Sequence, residues 1–247
     1  MIFVKYTGRL GNNLFQWGFG RILSKLSGVP MSAPFLPLFP STYGVIHSQP
    51  PKIKSILPMN CSFINIQEWV ERASQEDILV QGWPHNTTFF EPHRDWLVKE
   101  LTPEHGDYTQ ASVHDIVLHV RWGDFFGRHK KYSYPLKAFY GLLSSLEYDR
   151  CLIVTDTPDN ELITNLVKNY HGTLIAKDIN HDFRTLHYAP RLIMSPSTFS
   201  WWAAWSGKAH EIYQPYELGD WKEKTGLALS LCGQHVKRFD ANGKILT

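Results

Sequence analysis

Short apolar runs alternate with helix-like segments through the second half of the chain, and this alternation restricts the possible folds more than any other feature. Four runs of four to six residues are predicted strands: Ile116–Arg121, Cys151–Val154, Gly172–Ala176 and Arg191–Met194. Longer segments such as Pro135–Leu146, with apolar residues at helical spacing, separate them. Strands that alternate with helices form βαβ units, in which helices cover both faces of a parallel sheet. The pattern therefore predicts an α/β fold.

The first half gives weaker signals for the same architecture. Its predicted elements are the strands Ile2–Tyr6, Cys61–Ile66 and Ile78–Gln81 and the helices Asn12–Leu26 and Pro92–Leu101. Residues 30–58 are rich in proline and serine and are predicted to form an irregular surface segment. A polar stretch at residues 102–107 marks the best domain boundary. We therefore expect two Rossmann-like domains with parallel sheets facing across a cleft, residues 1–107 and 108–247.

Composition excludes several classes of protein. The 247 residues carry 25 Lys and Arg against 23 Asp and Glu, a net charge of +2, and this balance argues against a broad nucleic-acid-binding surface. No apolar run is long enough for a transmembrane helix, and the first residues do not resemble a signal peptide. Three widely spaced cysteines favour a reducing compartment, so a cytoplasmic location is predicted.

A polar cluster, His119-Val120-Arg121-Trp122-Gly123-Asp124, follows the first strand of the second half. Ligands of open α/β sheets bind at the carboxyl ends of the strands. The planar guanidinium of Arg121 suits phosphate or carboxylate oxygens. The alternative is a salt bridge between Arg121 and Asp124 that only ends the strand. The residues alone leave both interpretations open.

Two further segments place polar groups at strand ends. In Ser195-Pro196-Ser197-Thr198-Phe199-Ser200 a strand passes into a helix start, where free N–H groups and the helix dipole favour phosphate. Ordinary capping by Ser197 is the simpler interpretation. In Thr155-Asp156-Thr157-Pro158 the carboxylate of Asp156 is suited to accept two N–H bonds from a guanine edge, or only to complement the dipole of the next helix.

A glycine-containing turn, Gly8 to Gln16, joins the first predicted strand to the first predicted helix. It lacks the third glycine of a dinucleotide-binding fingerprint and the Gly-Lys-Ser/Thr of a P-loop. No Asp-x-Asp pair, His-Glu-x-x-His or Cys-x-x-Cys occurs, and the histidines have no metal-ligand spacing. No metal site and no cofactor are therefore expected.

Taken in order, these segments resemble the α1,2-fucosyltransferases of glycosyltransferase family 11. A more distant likeness extends to the α1,6-fucosyltransferases and the protein O-fucosyltransferases. The matching segments are Gly8–Gln16, Gln81–Trp83, Phe89–Glu91, His119–Asp124, Thr155–Thr157 and Ser195–Trp205. The likeness runs from about residue 3 to about residue 215, and the eleven-residue block Ser195–Trp205, which contains the Trp-Trp pair, is its most specific part.

The resemblance implies an inverting, metal-independent GT-B enzyme that takes L-fucose from GDP-fucose to a glycan hydroxyl in an α1,2 linkage. The N-terminal domain would face the acceptor, the C-terminal domain would bind the nucleotide sugar, and the C-terminal tail would pack back on the N-terminal domain. Arg121 would stabilise the departing diphosphate. The other implied substrate-binding residues are Gly11, Asn12, His119, Asp156, Ser197, Thr198, Phe199 and Ser200.

One position departs from the family pattern. Trp122 stands where the family has a second arginine, so one guanidinium is lost from the donor site. This leaves two alternatives open: the same fold with another nucleotide-linked sugar as donor, or a non-catalytic nucleotide- or glycan-binding module. An inverting transfer also needs a group that accepts the proton of the acceptor hydroxyl. Asp124 and His129 follow the arginine and are the candidates for this base.

Overall fold

The computed structural model describes residues 1–42, 53–58, 64–122, 136–216, 230–231, 233 and 235–246. These residues form two compact units, one running from Met1 to Glu104 and the other beginning at His105. Each unit contains its own largely parallel sheet with helices, which confirms the predicted α/β class with parallel sheets.

The first unit has a four-stranded parallel sheet in the order β2-β1-β4-β3. Its strands are β1 (Ile2–Val4), β2 (Met31–Ser32), β3 (Ser55–Ile56) and β4 (Ile78–Val80). Its helices are α1 (Leu10–Ser27), α2 (Ile66–Gln75), α3 (Thr87–Phe90) and α4 (Arg94–Glu100), with 3-10 turns at Pro40–Thr42 and Glu91–His93. A Cβ on Gly20 would lie 2.6 Å from Val4 Cγ2, so this glycine allows α1 to approach the sheet.

The second unit has a seven-stranded sheet in the order β11-β10-β9-β8-β5-β6-β7, in which only the β10–β11 pair is antiparallel. The central strands are β5 (Ile116–Val120), β6 (Cys151–Thr155), β7 (Gly172–Ile175) and β8 (Arg191–Ile193). The remaining strands are β9 (Glu211–Pro215), β10 (Val236–Phe239) and β11 (Ile245–Leu246). All residues of β5 and β6 are buried, as expected for parallel strands covered on both faces.

Within the described residues, four helices accompany this sheet: α5 (Leu136–Ser144), α6 (Glu161–Asn169), α7 (Ile179–His187) and α8 (Thr198–Ser206). Every residue of α8 from Ser200 onward is buried. Trp201 and Trp205 stack with centroids 5.4 Å apart, and Trp202 meets Trp205 edge-on. The tryptophans therefore pack in the core, as a helix apolar on all sides requires.

Several sequence-based predictions were wrong. Residues 30–58, which were predicted to form an irregular surface segment, contribute strands β2 and β3. They also bury the side chains of Leu36, Leu38 and Phe39. Ile66 begins helix α2 and does not end a strand, while residues 61–63 of that prediction lie outside the described part. Thr157 and Pro158 predict a capped helix start with a first-turn proline. The helix after β6 instead begins at Glu161, because Thr157–Asn160 forms a separate turn in which the Thr157 N–H donates to Thr155 Oγ1.

Other elements were not predicted. Helix α7 is capped by Asp178, whose carboxylate accepts from the N–H groups of Asn180 and His181 at 2.8 and 3.0 Å. Strands β9, β10 and β11 also had no prediction, and the last two place residues 236–246 in the second unit's sheet. The packing of the C-terminal tail on the N-terminal domain stays a prediction, because residues 217–229 lie outside the described residues.

No helix within the described ranges is long and apolar enough to cross a membrane.

Candidate active site

Strand order brings three of the sequence motifs to one edge of the second sheet. Strand β5 lies between β6 and β8, and all three are parallel, so their carboxyl ends are adjacent. Arg121 follows β5, Asp156 follows β6, and Ser195 follows β8 after one intervening residue. Together with His119 in β5 these residues form what we call the carboxyl-edge cluster. This edge is where open α/β sheets bind ligands.

Arg121 is joined to Asp156 by an ion pair between Nη1 and Oδ2. The other carboxylate oxygen, Oδ1, accepts the backbone N–H of Trp122 at 3.3 Å. The side chains of Arg121 and Asp156 are 15% and 28% exposed, so the pair sits at the surface of the edge and not inside it. Asp156 therefore orients the guanidinium from the neighbouring strand. The alternative partner, Asp124, lies outside the described residues.

His119 lies beneath this pair. Its ring is buried, its Nδ1 is 2.8 Å from Ser195 Oγ, and its centroid is 5.6 Å from the ring of Phe199. Burial, reinforced by the nearby Arg121 charge, lowers the pKa of His119 from 6.5 to about 3. The imidazole is therefore neutral at physiological pH, and it links the ends of β5 and β8.

The start of helix α8 provides the backbone donors of the edge. Ser197 is the N-cap, and its Oγ accepts the Phe199 N–H at 3.2 Å, which confirms the predicted cap. Ser197, Thr198 and Phe199 are partly exposed. Ser200 is fully buried, and its hydroxyl donates to the carbonyl oxygen of Ser195 at 2.9 Å. The first three residues of the group thus reach the surface, whereas the hydroxyl of Ser200 holds the turn together.

The glycine-containing turn of the first unit follows β1. Gly8 has φ +83°, and a Cβ there would lie 2.5 Å from Asn12 Nδ2 and 3.2 Å from the ring of Trp83. Only glycine fits both the left-handed backbone and this crowding. Gly11 and Asn12 lie in the first turn of α1, where Gly11 is buried and Asn12 is partly exposed.

Gln16 fastens this turn to the neighbouring strand end. It is fully buried, its Oε1 accepts the Thr7 N–H at 2.9 Å, and its Nε2 donates to Thr7 Oγ1 at 2.6 Å. The same Nε2 reaches the Gly82 carbonyl oxygen at 3.1 Å. One amide thus joins the carboxyl ends of β1 and β4, which are adjacent in the first sheet.

Two residues of this machinery were not chosen from sequence. Ser195 directly bonds His119, and its signal was a hydroxyl immediately after a buried strand. Gln16 is the last residue of the segment Gly8–Gln16 that was identified from sequence. Its role was missed because no local sequence pattern indicates that a buried amide joins two strand ends. The predicted base candidates Asp124 and His129 lie in residues 123–135, outside the described part, and they stay predictions. Among the residues with described positions, no three His, Cys, Asp or Glu side chains gather as a metal site would require.

No known protein family matches the sequence, and no curated protein matches it. The chain is similar to solved structures of the fucosyltransferase NodZ. A crystal structure of NodZ alpha-1,6-fucosyltransferase soaked with GDP-fucose aligns with 14% identity and a TM-score of 0.46, over 85% of this chain and 93% of that chain. Two structures of NodZ from Bradyrhizobium align with 13% identity over 85% of this chain, with TM-scores of 0.47 and 0.45 and coverage of 93% and 94% of their own chains.

Proposed function

We propose that the protein is an inverting, metal-independent glycosyltransferase that moves L-fucose from GDP-fucose to a hydroxyl of a glycan, in an α1,2 linkage. The observation that carries the proposal is the placement of Arg121 and the start of α8 at neighbouring strand ends. A guanidinium and a helix N-terminus are two groups that bind diphosphate without a metal. The order of the motifs shared with family 11 supports the choice of donor.

In the proposed reaction the acceptor hydroxyl attacks the anomeric carbon of fucose as the bond to the β-phosphate oxygen breaks. GDP leaves with the bonding electrons, and the hydroxyl proton passes to a base, for which Asp124 and His129 are the proposed candidates. Arg121 stabilises the charge that develops on the leaving diphosphate. A guanidinium has five N–H donors in a fixed plane, and a single carboxylate does not use all of them. The pair with Asp156 is therefore compatible with phosphate binding by Arg121.

The remaining roles follow the same geometry. Ser197, Thr198 and Phe199 would line the diphosphate from the start of α8, with Ser200 bracing the turn behind them. His119 and Asp156 would hold the guanosine part. Gly11 and Asn12, in the first unit, would contribute the loop proposed to lie near the transferred sugar.

A second candidate keeps the nucleotide site and changes the transferred sugar. The observation that favours it is the position of Trp122, whose side chain packs against the hydrophobic core built around β5 and β6. A side chain packed in this way supplies no charge to replace the guanidinium found in family 11. The donor site would then have one arginine instead of two, which alters the contacts that select the donor.

The chain offers a matched control for Arg121. Arg150 precedes β6 and binds Asp115, which precedes β5, at 2.6 and 3.2 Å, so the same two strands carry an Arg–Asp pair at each edge. We expect Arg121→Lys to reduce fucosyl transfer about 100-fold, because the bidentate fork is lost, and Arg150→Lys to leave it unchanged. Thermal unfolding of both variants measures the purely structural cost.

Equal loss of turnover in the two variants would remove the catalytic role of Arg121. Transfer is measured with GDP-fucose, GDP-mannose, UDP-galactose and UDP-glucose, so that the second candidate appears as activity with another donor. Stabilisation by GDP without turnover of any donor would identify a binding module instead. The rate in EDTA tests metal independence, and linkage analysis of the product separates α1,2 from α1,6 transfer.

A further inference from the structure

The buried hydrogen bond between His119 and Ser195 has a direction that the surrounding groups determine. The two atoms, Nδ1 and Oγ, lie 2.8 Å apart, and both residues are at most 4% exposed. A neutral imidazole has one N–H donor and one acceptor nitrogen, so either the serine donates to Nδ1 or Nδ1 donates to the serine. The two possibilities correspond to different tautomers of His119.

The environment of the serine favours one of them. If Nδ1 carried the proton, the Ser195 hydroxyl hydrogen would need another acceptor, and the described residues provide none for it. A buried hydroxyl left without an acceptor costs free energy. If the serine donates to Nδ1, its hydrogen is satisfied, and the ring proton must then lie on Nε2.

The backbone of Ser195 is held in place by hydrogen bonds, so its hydroxyl has a defined position relative to the His119 ring. Its carbonyl oxygen accepts the Ser200 hydroxyl at 2.9 Å, and Ser200 is itself fully buried in the first turn of α8. Ser200 also reaches the carbonyl oxygen of Ser197 at 3.3 Å. The turn between β8 and α8 thus fixes the position from which the Ser195 hydroxyl bonds the His119 ring.

We propose that Ser195 is a positioning residue that holds His119 as the Nε2–H tautomer, so that the cluster presents a neutral N–H donor beside the Arg121 guanidinium. The ligand atom that this donor selects is an oxygen acceptor, either a phosphate oxygen or a carbonyl oxygen of the base. This part rests on the proposed function, whereas the tautomer itself does not.

The tautomer is measured directly by long-range ¹H–¹⁵N correlation spectra of the full chain labelled with ¹⁵N-histidine, at neutral pH and without nucleotide. His119→Gln assigns the resonance by its disappearance. We expect a protonated Nε2 and an acceptor Nδ1 in the wild type and in Ser195→Thr, and a loss of that preference in Ser195→Ala. Ser206→Ala, which removes a buried serine hydroxyl 3.3 Å from the Nδ1 of a different histidine, His187, is expected to leave the His119 tautomer unchanged.

A protonated Nδ1 in the wild type overturns the proposal, and so does an unaltered tautomer in Ser195→Ala. If Ser195→Ala fails to fold, the wild-type spectrum and Ser195→Thr still decide. Titration with GDP then tests the functional part: we expect the Nε2–H resonance to shift, and Ser195→Ala to bind GDP about ten-fold more weakly, the loss of one neutral hydrogen bond. The expected tautomer with no GDP binding would contradict the proposed function and leave the tautomer assignment standing.

Discussion

Three buried histidines make the fold sensitive to mild acid. His85, His119 and His187 are 5%, 4% and 1% exposed. Burial is the first cause that lowers their pKa values from 6.5, to about 3 for His85 and His119 and to about 4 for His187. The unfolded chain takes up these protons near pH 6.5, whereas the folded chain takes them up only near pH 3 to 4. In that window the unfolded state binds more protons, so acidification favours it.

The size of the effect follows from linkage. Each of these histidines has a pKa near 6.5 in the unfolded chain and a much lower one in the folded chain. Lowering the pH from 7.5 to 5.5 therefore reduces the free energy of unfolding by about 1.4 kcal/mol for each histidine, or about 4 kcal/mol for all three. This is a large part of the about 5–15 kcal/mol that stabilises a typical domain. Urea unfolding at the two pH values measures it, and we expect the free energy of unfolding to fall as pH falls. A free energy that stays constant or rises would refute the assignment of three neutral buried imidazoles.

His85 provides the matched control. Both of its ring nitrogens are buried and have no hydrogen-bond partner among the residues that the structure describes, and its ring meets the Phe15 ring edge-on at 4.8 Å. His85→Phe keeps an aromatic ring and removes the titrating group. We expect the variant to lose about a third of the pH dependence, and to gain stability at pH 7.5 because the unpaired polar atoms are gone. An unchanged dependence on pH would show that His85 is not a contributor.

Three other perturbations have defined outcomes. Gly8→Ala should cost more in urea unfolding, about 1–3 kcal/mol, than Gly28→Ala, because both have positive φ but only Gly8 is crowded; equal costs would show that crowding is unimportant. Gln16→Leu should destabilise by about 2–4 kcal/mol by leaving buried backbone groups unpaired, and a loss below about 1 kcal/mol would contradict its bridging role. The Cys151 thiol is fully buried, and burial raises its pKa to about 12, so iodoacetamide should alkylate it only when the protein unfolds. Mass mapping that finds an adduct on Cys151 in the native protein would contradict this.

The central strands could be predicted because burial on both faces leaves a continuous apolar run. Strands β5 and β6 are of this kind, and the sequence marked each within one residue of its observed ends. Strands β2 and β3 have two residues each, too few to show any period. They exist because the neighbouring strands β1 and β4 offer them backbone partners. Tertiary pairing, which no local pattern contains, creates such elements.

The missed helices have a different reason. Helix α2 buries only Trp69 and Ala73 among its ten residues, so its apolar stripe is thin. Its start is nevertheless marked by Asn65, whose side chain accepts from the Gln67 N–H at 3.0 Å. Asp178 marks the start of α7 in the same way. Capping residues therefore mark the starts of both helices.

The site divides along similar lines. The sequence predicts that three polar residues lie at the carboxyl ends of buried strands, because each comes after an apolar run: Arg121, Asp156 and Ser195. Which of them meet depends on the strand order β8-β5-β6, and chain order alone does not give it. The observed partner of Arg121 is thus Asp156, 35 residues away. The alternative pairing with nearby Asp124 stays open, because Asp124 lies outside the described residues. The hydrogen bond of Ser195 to His119 crosses 76 residues for the same reason.

The double engagement of Asp156 separates two roles that the site allows. Its oxygens accept from Arg121 and from the Trp122 N–H, which suits a residue that only orients the guanidinium. An ionised carboxylate has about four lone-pair sites, so it is still able to accept N–H groups from a guanine edge. Asp156→Asn distinguishes these roles because the amide keeps one acceptor oxygen but loses the charge and the second acceptor.

If Asp156 holds guanine, Asp156→Asn should weaken GDP binding by about 10- to 100-fold, the loss of charge-assisted hydrogen bonds. UDP offers no guanine edge, so its affinity should stay the same or increase as the negative charge beside the phosphates disappears. Calorimetric titration of both nucleotides gives the ratio of their dissociation constants. A ratio equal to that of the wild type would leave Asp156 with the guanidinium alone, and selection of the base would then have to come from other residues.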